Sequence, residues 1–358
     1  MGILATYFCK EFTKLLIICQ TVFVSIYLTI DFLQKIDNFI EADALDGAML
    51  TYFFCKIPYI FVQMVPVSTL ISVIIMLSLM VKNNEITALK SCGMSIFRIS
   101  LPLLIASTFL AIVVFLLSEL VVPYASTESQ HIWGKEVTKR GRDQVYGRNH
   151  IWYKGSNSIY WIRHFDSKRM VMVDPTFYFF DDSFQPIKTI QARRAIWLGD
   201  RWKALDGVLQ VAGDGGRFEF LRFEEMDPGL HEKPETFLRA PRRSEEMSYW
   251  QLKRFAERIQ IEGYDAKRYL VDMNLKLAFP LINLIMVMLG IPIALGVKRG
   301  GIPIAVSLGI GACFIYLLIL GLARSLGLSG ILPPCLSAWF ANVSFFLCGV
   351  YLMTHLET

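Results

Sequence analysis

Six long apolar runs dominate the pattern of the chain, near residues 12–33, 57–81, 99–122, 271–297, 301–323 and 332–354. Each exceeds the ~20 helical residues needed to cross a hydrocarbon layer of ~30 Å. Backbone N–H and C=O groups find no water there, so each run is expected to be a helix that satisfies its own backbone. The first run is too long for the apolar core of a signal peptide and lacks a small-residue cleavage site, so it reads as a retained span. The expected fold class is an α-helical integral membrane protein with six transmembrane helices, three plus three, and a domain inserted between the triplets. Residues 1–122 would hold the first three helices with a connecting loop at 82–98, residues 123–268 the inserted domain, and residues 269–358 the last three.

The inserted stretch changes period. Ser158–Ile162, Met170–Val173, Pro175–Phe180 and Ala195–Leu198 are short aromatic or β-branched runs that predict strands. Gly199-Asp200 between Trp197 and Trp202 predicts a tight hairpin with glycine first. Gly213–Gly216 separates a further pair ending in Arg217–Phe223, where polar and apolar residues alternate as on a sheet with one wet face. Short strands at this spacing suggest a sandwich, an open barrel or a jelly roll. The aromatics would either pack a small core or line an apolar interior able to hold acyl chains, with Trp161 and Phe179 as inward candidates. From 248 the period becomes helical. Ser248 and Gln251 form a capping-box pattern, Leu252, Phe255 and Ile259 share a face, and Gly263 is expected to end the helix.

Composition sharpens this split. The 358 residues are 54% hydrophobic and only 19% charged, with mean hydropathy +0.44. Residues 123–268 nevertheless hold 25 of the 36 Lys and Arg and 21 of the 31 Asp and Glu. The averages argue against an ordinary soluble enzyme and against a disordered chain. The net charge of +5 forms no dense basic run, which argues against nucleic acid as a partner. None of the seven cysteines falls in 123–268, so that domain is expected to hold together without disulfides.

Charge also sets an expected orientation. Lys10, Lys14, Lys82, Lys90, Arg98, Lys298 and Arg299 flank the apolar runs on one side, whereas Asp37, Glu41, Asp43 and Asp46 surround Lys35 on the other. The excess of Lys and Arg marks the cytoplasmic side. Both termini would then be cytoplasmic and residues 123–268 external. Asp31, Glu119, Asp272 and Lys276 sit near the outer ends of runs, where they anchor at the interface or pair, Asp272 with Lys276 four positions on. No ionisable set lies at mid-membrane, as proton-coupled transporters require. The chain has no G-x-x-x-x-G-K-[ST], H-E-x-x-H, G-x-S-x-G or C-x-x-C, and its five histidines are scattered. No catalytic residues, metal ligands or cofactor site are expected. Gly309, Gly311 and Gly321 read as helix-packing positions.

The 82–98 loop has a helical first half, with Ile86 and Leu89 three apart and Gly93 as its stop. On its residues alone it is either a docking knob or a simple interfacial turn. Its pattern, Asn84-Glu85-Ile86-Thr87-Ala88-Leu89 followed by Ser91-Cys92-Gly93-Met94-Ser95, resembles the LptF/LptG (YjgP/YjgQ) permeases. So do Tyr7–Lys14, Gly263–Tyr269, Lys276–Pro280, Ile291–Ala294, Ala338–Asn342 and Phe345-Phe346. The resemblance covers the whole chain, and the Gly263–Arg268 pattern and total length lean towards the LptG branch.

The resemblance implies a permease subunit of an ABC transporter in the inner membrane of Gram-negative bacteria. Its partners would be a paralogous permease (LptF if this chain is LptG), two copies of an LptB-like ATPase, and an LptC-like protein that receives the lipid. The complex extracts lipopolysaccharide and passes it to a periplasmic bridge, along β-jelly-roll domains. ATP is hydrolysed by the partner, and no cofactor is held here. The coupling residues implied are Asn84, Glu85, Ile86, Ala88, Leu89, Ser91 and Gly93. Lateral-gate and lipid-facing positions map to Phe23, Ile26, Tyr27 and Ile30 in the first span, Lys35 beyond it, and Phe314, Leu317 and Leu318 in the fifth. Some members carry basic residues where this chain has Asp31, a departure that counts against phosphate binding at that point. The competing reading is a membrane-anchored structural or sensing protein whose external domain binds a partner.

Overall fold

The computed structural model describes residues 2–42, 47–137, 148–155, 157–166, 169–181, 185–212, 218–230, 232–234, 244–261, 265–297 and 301–356. Asp43, Asp46, Gly213–Gly216, Gly263, Lys298 and Arg299 lie outside them. Among the described residues, six helices are long and apolar enough to cross a membrane. They are α1 (Gly2–Glu41), α2 (Gly47–Lys82), α4 (Ile96–Leu120), α7 (Lys267–Gly296), α8 (Gly301–Leu328) and α9 (Pro334–His355). Shorter helices are α3 (Glu85–Ser91), α5 (Val122–Ile132) and α6 (Tyr249–Ile261). A π-helical turn, Trp133–Val137, continues α5.

α2 and α7 form the centre of the bundle. Their most apolar 18-residue windows are each 72% buried, against 17% for α1 and 22% for α8. Within lipid, apolar burial does not itself drive helix association, so close packing through small residues matters most. Gly290 of α7 admits Val73 and Leu70 of α2, and Gly309 of α8 admits Ile74 of the same helix. One polar relay crosses three helices at the centre. The Tyr316 hydroxyl of α8 donates to Asn342 Oδ1 of α9 at 2.5 Å, and Asn342 Nδ2 donates to the Ala278 carbonyl of α7 at 2.8 Å.

α1 is held by a narrow stripe. Phe8 and Phe12 enter a cluster with Val73, Met76 and Leu77 of α2, Leu103 of α4 and Ile291 of α7. Gln20 Nε2 donates to the Phe61 carbonyl at 2.8 Å. At the far end Phe39 packs on Tyr52 and Trp133, with ring centroids 5.5 Å from each. The helix runs through 40 residues with no proline.

The six strands β1 (Arg148–Lys154), β2 (Ser158–Asp166), β3 (Val171–Phe180), β4 (Pro186–Trp197), β5 (Trp202–Ala212) and β6 (Phe218–Met226) pair antiparallel in consecutive order. This is a meander. The crossovers of a jelly roll are not present among the described residues. The runs at 170–173 and 175–180 join into the single strand β3, with Asp174 at φ 47 between them. The β4–β5 hairpin closes through Leu198 N–H to the Arg201 carbonyl at 3.0 Å, with Gly199 at φ 105 as the expected glycine. Tyr160, Ile162, Phe165, Phe177, Ile190 and Trp202 form the buried face. Tyr160 donates to the Glu232 carboxylate at 3.1 Å and Trp202 Nε1 to the Glu232 carbonyl at 2.7 Å. Burial raises the Tyr160 phenol pKa well above its usual value, so it stays a donor. The capping box of α6 forms in both directions: Gln251 Oε1 accepts from Ser248 N–H at 3.1 Å, and Ser248 Oγ from Gln251 N–H at 3.3 Å.

Candidate coupling helix, gate faces and charge clusters

α3 follows α2 after a reversal at Asn84, whose φ of 60 is one that asparagine tolerates better than most residues. Gly93 stops it at φ 78, with its N–H on the Lys90 carbonyl (2.9 Å) and that of Met94 on Leu89 (3.2 Å). Ile86 is buried, at 4% exposure, and Leu89 packs against the same cluster as Phe8, Phe12 and Met80. These two side chains therefore anchor α3 to the bundle. Asn84, Thr87, Ala88, Ser91 and Gly93 are exposed. Glu85 is half-buried. It accepts from the Tyr7 hydroxyl of α1 at 3.2 Å and from Asn83 Nδ2 at 3.4 Å. Sequence reasoning missed the Tyr7 contact because 78 positions separate the two residues.

On α1, Ile26 and Ile30 are each 51% exposed, and Phe23 and Tyr27 half-buried. On α8, Phe314, Leu317 and Leu318 are exposed. The gate candidates on both helices thus form outward apolar surface. α1 packs chiefly on α2 and α4, and α8 on α2, α7 and α9. Of the glycines expected to serve such a contact, Gly311 and Gly321 face open space, whereas Gly309 is committed to α2.

Lys35 is engaged rather than free. Its Nζ lies 3.0 Å from Asp31 Oδ1, donates to the Tyr52 hydroxyl at 2.6 Å, and sits 5.3 Å from the Trp133 ring centroid. Lys56 of α2 contacts the same carboxylate at 2.6 Å. Asp31 is thereby shared by two ammonium groups at the bundle end opposite α3, and it links α1 to α2. Also at that end, Asp272 of α7 pairs with Arg324 Nη2 of α8 at 2.8 Å. The expected Asp272–Lys276 pair does not form, because Arg324 supplies the nearer cation from a neighbouring helix. Glu119 Oε2 accepts the Tyr249 N–H at 2.7 Å, which fastens the start of α6.

In the sheet, Phe179 packs on the buried face, whereas Trp161 is on the other side, paired with the exposed Trp152 at 6.4 Å. The parity of β2 decides this, since Tyr160 and Ile162 point inward. No group of three or more His, Cys, Asp and Glu able to hold a metal occurs among the described residues.

The geometry is that of a helical membrane body with outward apolar faces, charge clusters at one end and a seated short helix at the other. A search among curated proteins returns no match. The family model described as "Lipopolysaccharide export system permease LptF/LptG" matches residues 6–355. The chain is a multi-pass membrane protein that belongs to the LptF/LptG family of lipopolysaccharide export permeases.

Proposed function

We propose that this chain is the LptG-type transmembrane subunit of an ABC exporter in a Gram-negative inner membrane, driven by a separate LptB-like ATPase. Its partners would be an LptF-like permease, two ATPase copies and an LptC-like acceptor of lipopolysaccharide. ATP would be hydrolysed by the partner, with no cofactor held here. Both termini would be cytoplasmic and the β sheet periplasmic, as the Lys and Arg distribution favours. The observation that supports coupling most directly is the seat of α3. Ile86 roots it in the cluster shared by α1, α2, α4 and α7, and Glu85 touches Tyr7 of α1. A force on the exposed Thr87–Ala88–Ser91 face then reaches α1, the helix bearing the gate candidates Phe23, Ile26, Tyr27 and Ile30.

The exported lipid carries acyl chains whose burial is worth ~0.8 kcal/mol per CH₂. Its extraction needs an apolar wall, and the outward faces of α1 and of the α8 residues Phe314, Leu317 and Leu318 suit one that is completed by the partner permease. The test is Glu85→Lys in the assembled complex, read by ATPase co-purification and ATP-driven lipid release. Both should fall at least tenfold, since breaking one side of a charged contact that the docked ATPase would bury costs ~2–5 kcal/mol. Wild-type levels of both would refute the coupling role.

A further inference from the structure

A cavity of about 440 Å³ opens at the bundle end away from α3, between α2, α4, α5, α7 and α8. Its lining divides by chemistry. Val62, Leu275 and Phe279 make an apolar side, while Arg268, Lys276, Arg324, Asp272 and Glu245 bring charge, with Gln63, Ser118 and Ser244 beside them. Asp272 and Arg324 engage each other at 2.8 Å. Of the remaining charges, Arg268 and Lys276 face Glu245 of the lining, and Glu119 near the end of α4 also acts on Lys276. Lys276 is half-buried and forms no ion pair or hydrogen bond among the described residues. Ser244 is 8% exposed, and its hydroxyl, which lines the same space, has no partner.

An ammonium group that no carboxylate contacts directly, beside an apolar wall, is costly, and so is a buried hydroxyl without a bond. Both costs are removed by one anionic oxygen cluster placed between them. Phosphate oxygens accept from ammonium, guanidinium and hydroxyl donors together in short charge-assisted bonds. The apolar side then suits the first methylenes of attached chains. We propose that this cavity seats the phosphate-bearing headgroup of a membrane glycerolipid, with Lys276, Arg268 and Ser244 as donors. The site lies within this one chain and is separate from the outward faces of α1 and α8. It does not depend on the export reading, because its readout is a retained lipid and not transport.

The test uses the full chain, in the assembly in which it purifies, stripped of lipid in mild detergent. Native mass spectrometry would follow titration with dioleoyl phosphatidylglycerol, with dioleoylglycerol, and with inorganic phosphate. The expected result is one tightly held phosphatidylglycerol that millimolar inorganic phosphate does not displace, and no tightly held dioleoylglycerol. Lys276→Gln should weaken that binding about tenfold or more, while Lys276→Arg keeps it. A photoreactive side chain in place of Gln63 should capture the lipid. Should Lys276→Gln not yield a monodisperse protein, Ser244→Ala and Arg268→Gln carry the same test, with severalfold weakening expected from each. Equal binding of dioleoylglycerol, unchanged affinity in the variants, occupancy by inorganic phosphate in place of lipid, or capture of a protein segment at Gln63 would each overturn the proposal.

Discussion

The inner helices α2 and α7 and the outer helices α1 and α8 have similar hydropathy, with windows of 2.4 and 2.2 against 2.0 and 2.4, yet opposite fates. The inner pair is mostly buried over its most apolar stretch. The outer pair leaves most of its apolar surface exposed in the single chain. Hydropathy identifies a span but does not say what the span faces, since lipid and a packed helix are equally apolar. The difference instead tracks small residues and sparse polar contacts. Gly290 lets α7 approach α2 closely, α8 does so only on the face of Gly309 and leaves Gly311 and Gly321 on open space, and α1 reaches α2 through Gln20, Asp31 and a few aromatic rings.

Three experiments press on this contrast. The largest effect is expected at Asp31. Asp31→Ala leaves Lys35 and Lys56 facing each other without a carboxylate, a loss of about 3–5 kcal/mol for a largely buried pair. Thermal unfolding in detergent should show a marked drop, partly restored by adding Lys56→Met. An unchanged midpoint would mean that α1 is held by its apolar stripe alone. A smaller effect is expected where α8 meets α2. Gly309→Leu forces a side chain into Ile74 and should cost about 1–3 kcal/mol, while Gly311→Leu, two positions on but facing open space, should leave the unfolding midpoint in place. Equal effects from the two would erase the distinction between the committed and the free face of α8. The smallest belongs to Tyr7, which is 41% exposed. Tyr7→Phe removes one hydrogen bond to Glu85, worth about 0.5–1.5 kcal/mol at most, and should speed hydrogen exchange in α3 with little change in global stability. Unaltered exchange at Glu85–Ser91 would show that Ile86 alone seats the short helix.

Local features of this fold were legible in the sequence. The six spans, α3 with its Gly93 stop, the Ser248–Gln251 capping box and the Gly199-Asp200 hairpin each depend on residues within a few positions of one another. What the sequence hid depends on distant pairing. Asp272 has a cation four positions away in Lys276, and only the packing of α7 against α8 shows that Arg324, 52 positions on, takes it. Trp161, an inward candidate, faces the other side. Parity alone cannot say which of two alternating sets is buried, and here Tyr160 and Ile162 are. Gly309 and Gly311 were indistinguishable until α2 was placed beside one of them. In the 82–98 loop the motif was readable, but the division of labour within it was not. Ile86 and Leu89 anchor, Glu85 reaches α1, and Thr87, Ala88 and Ser91 remain outside.

The uninterrupted length of α1 has a mechanical meaning. At 1.5 Å per residue, its 40 residues make a rod about 60 Å long, roughly twice the depth of the hydrocarbon layer. With no proline to bend it, such a rod is a lever. Gln20, bonded to Phe61 near the midpoint, is placed as its fulcrum. A tilt of about 5° about that point moves each tip by roughly 3 Å, enough to exchange one set of side-chain contacts for another. Phe8 and Phe12, about 18 and 12 Å from that point on one arm, would shift by about 1–1.6 Å, whereas Phe39, about 28 Å away on the other, would shift by about 2.5 Å against Trp133.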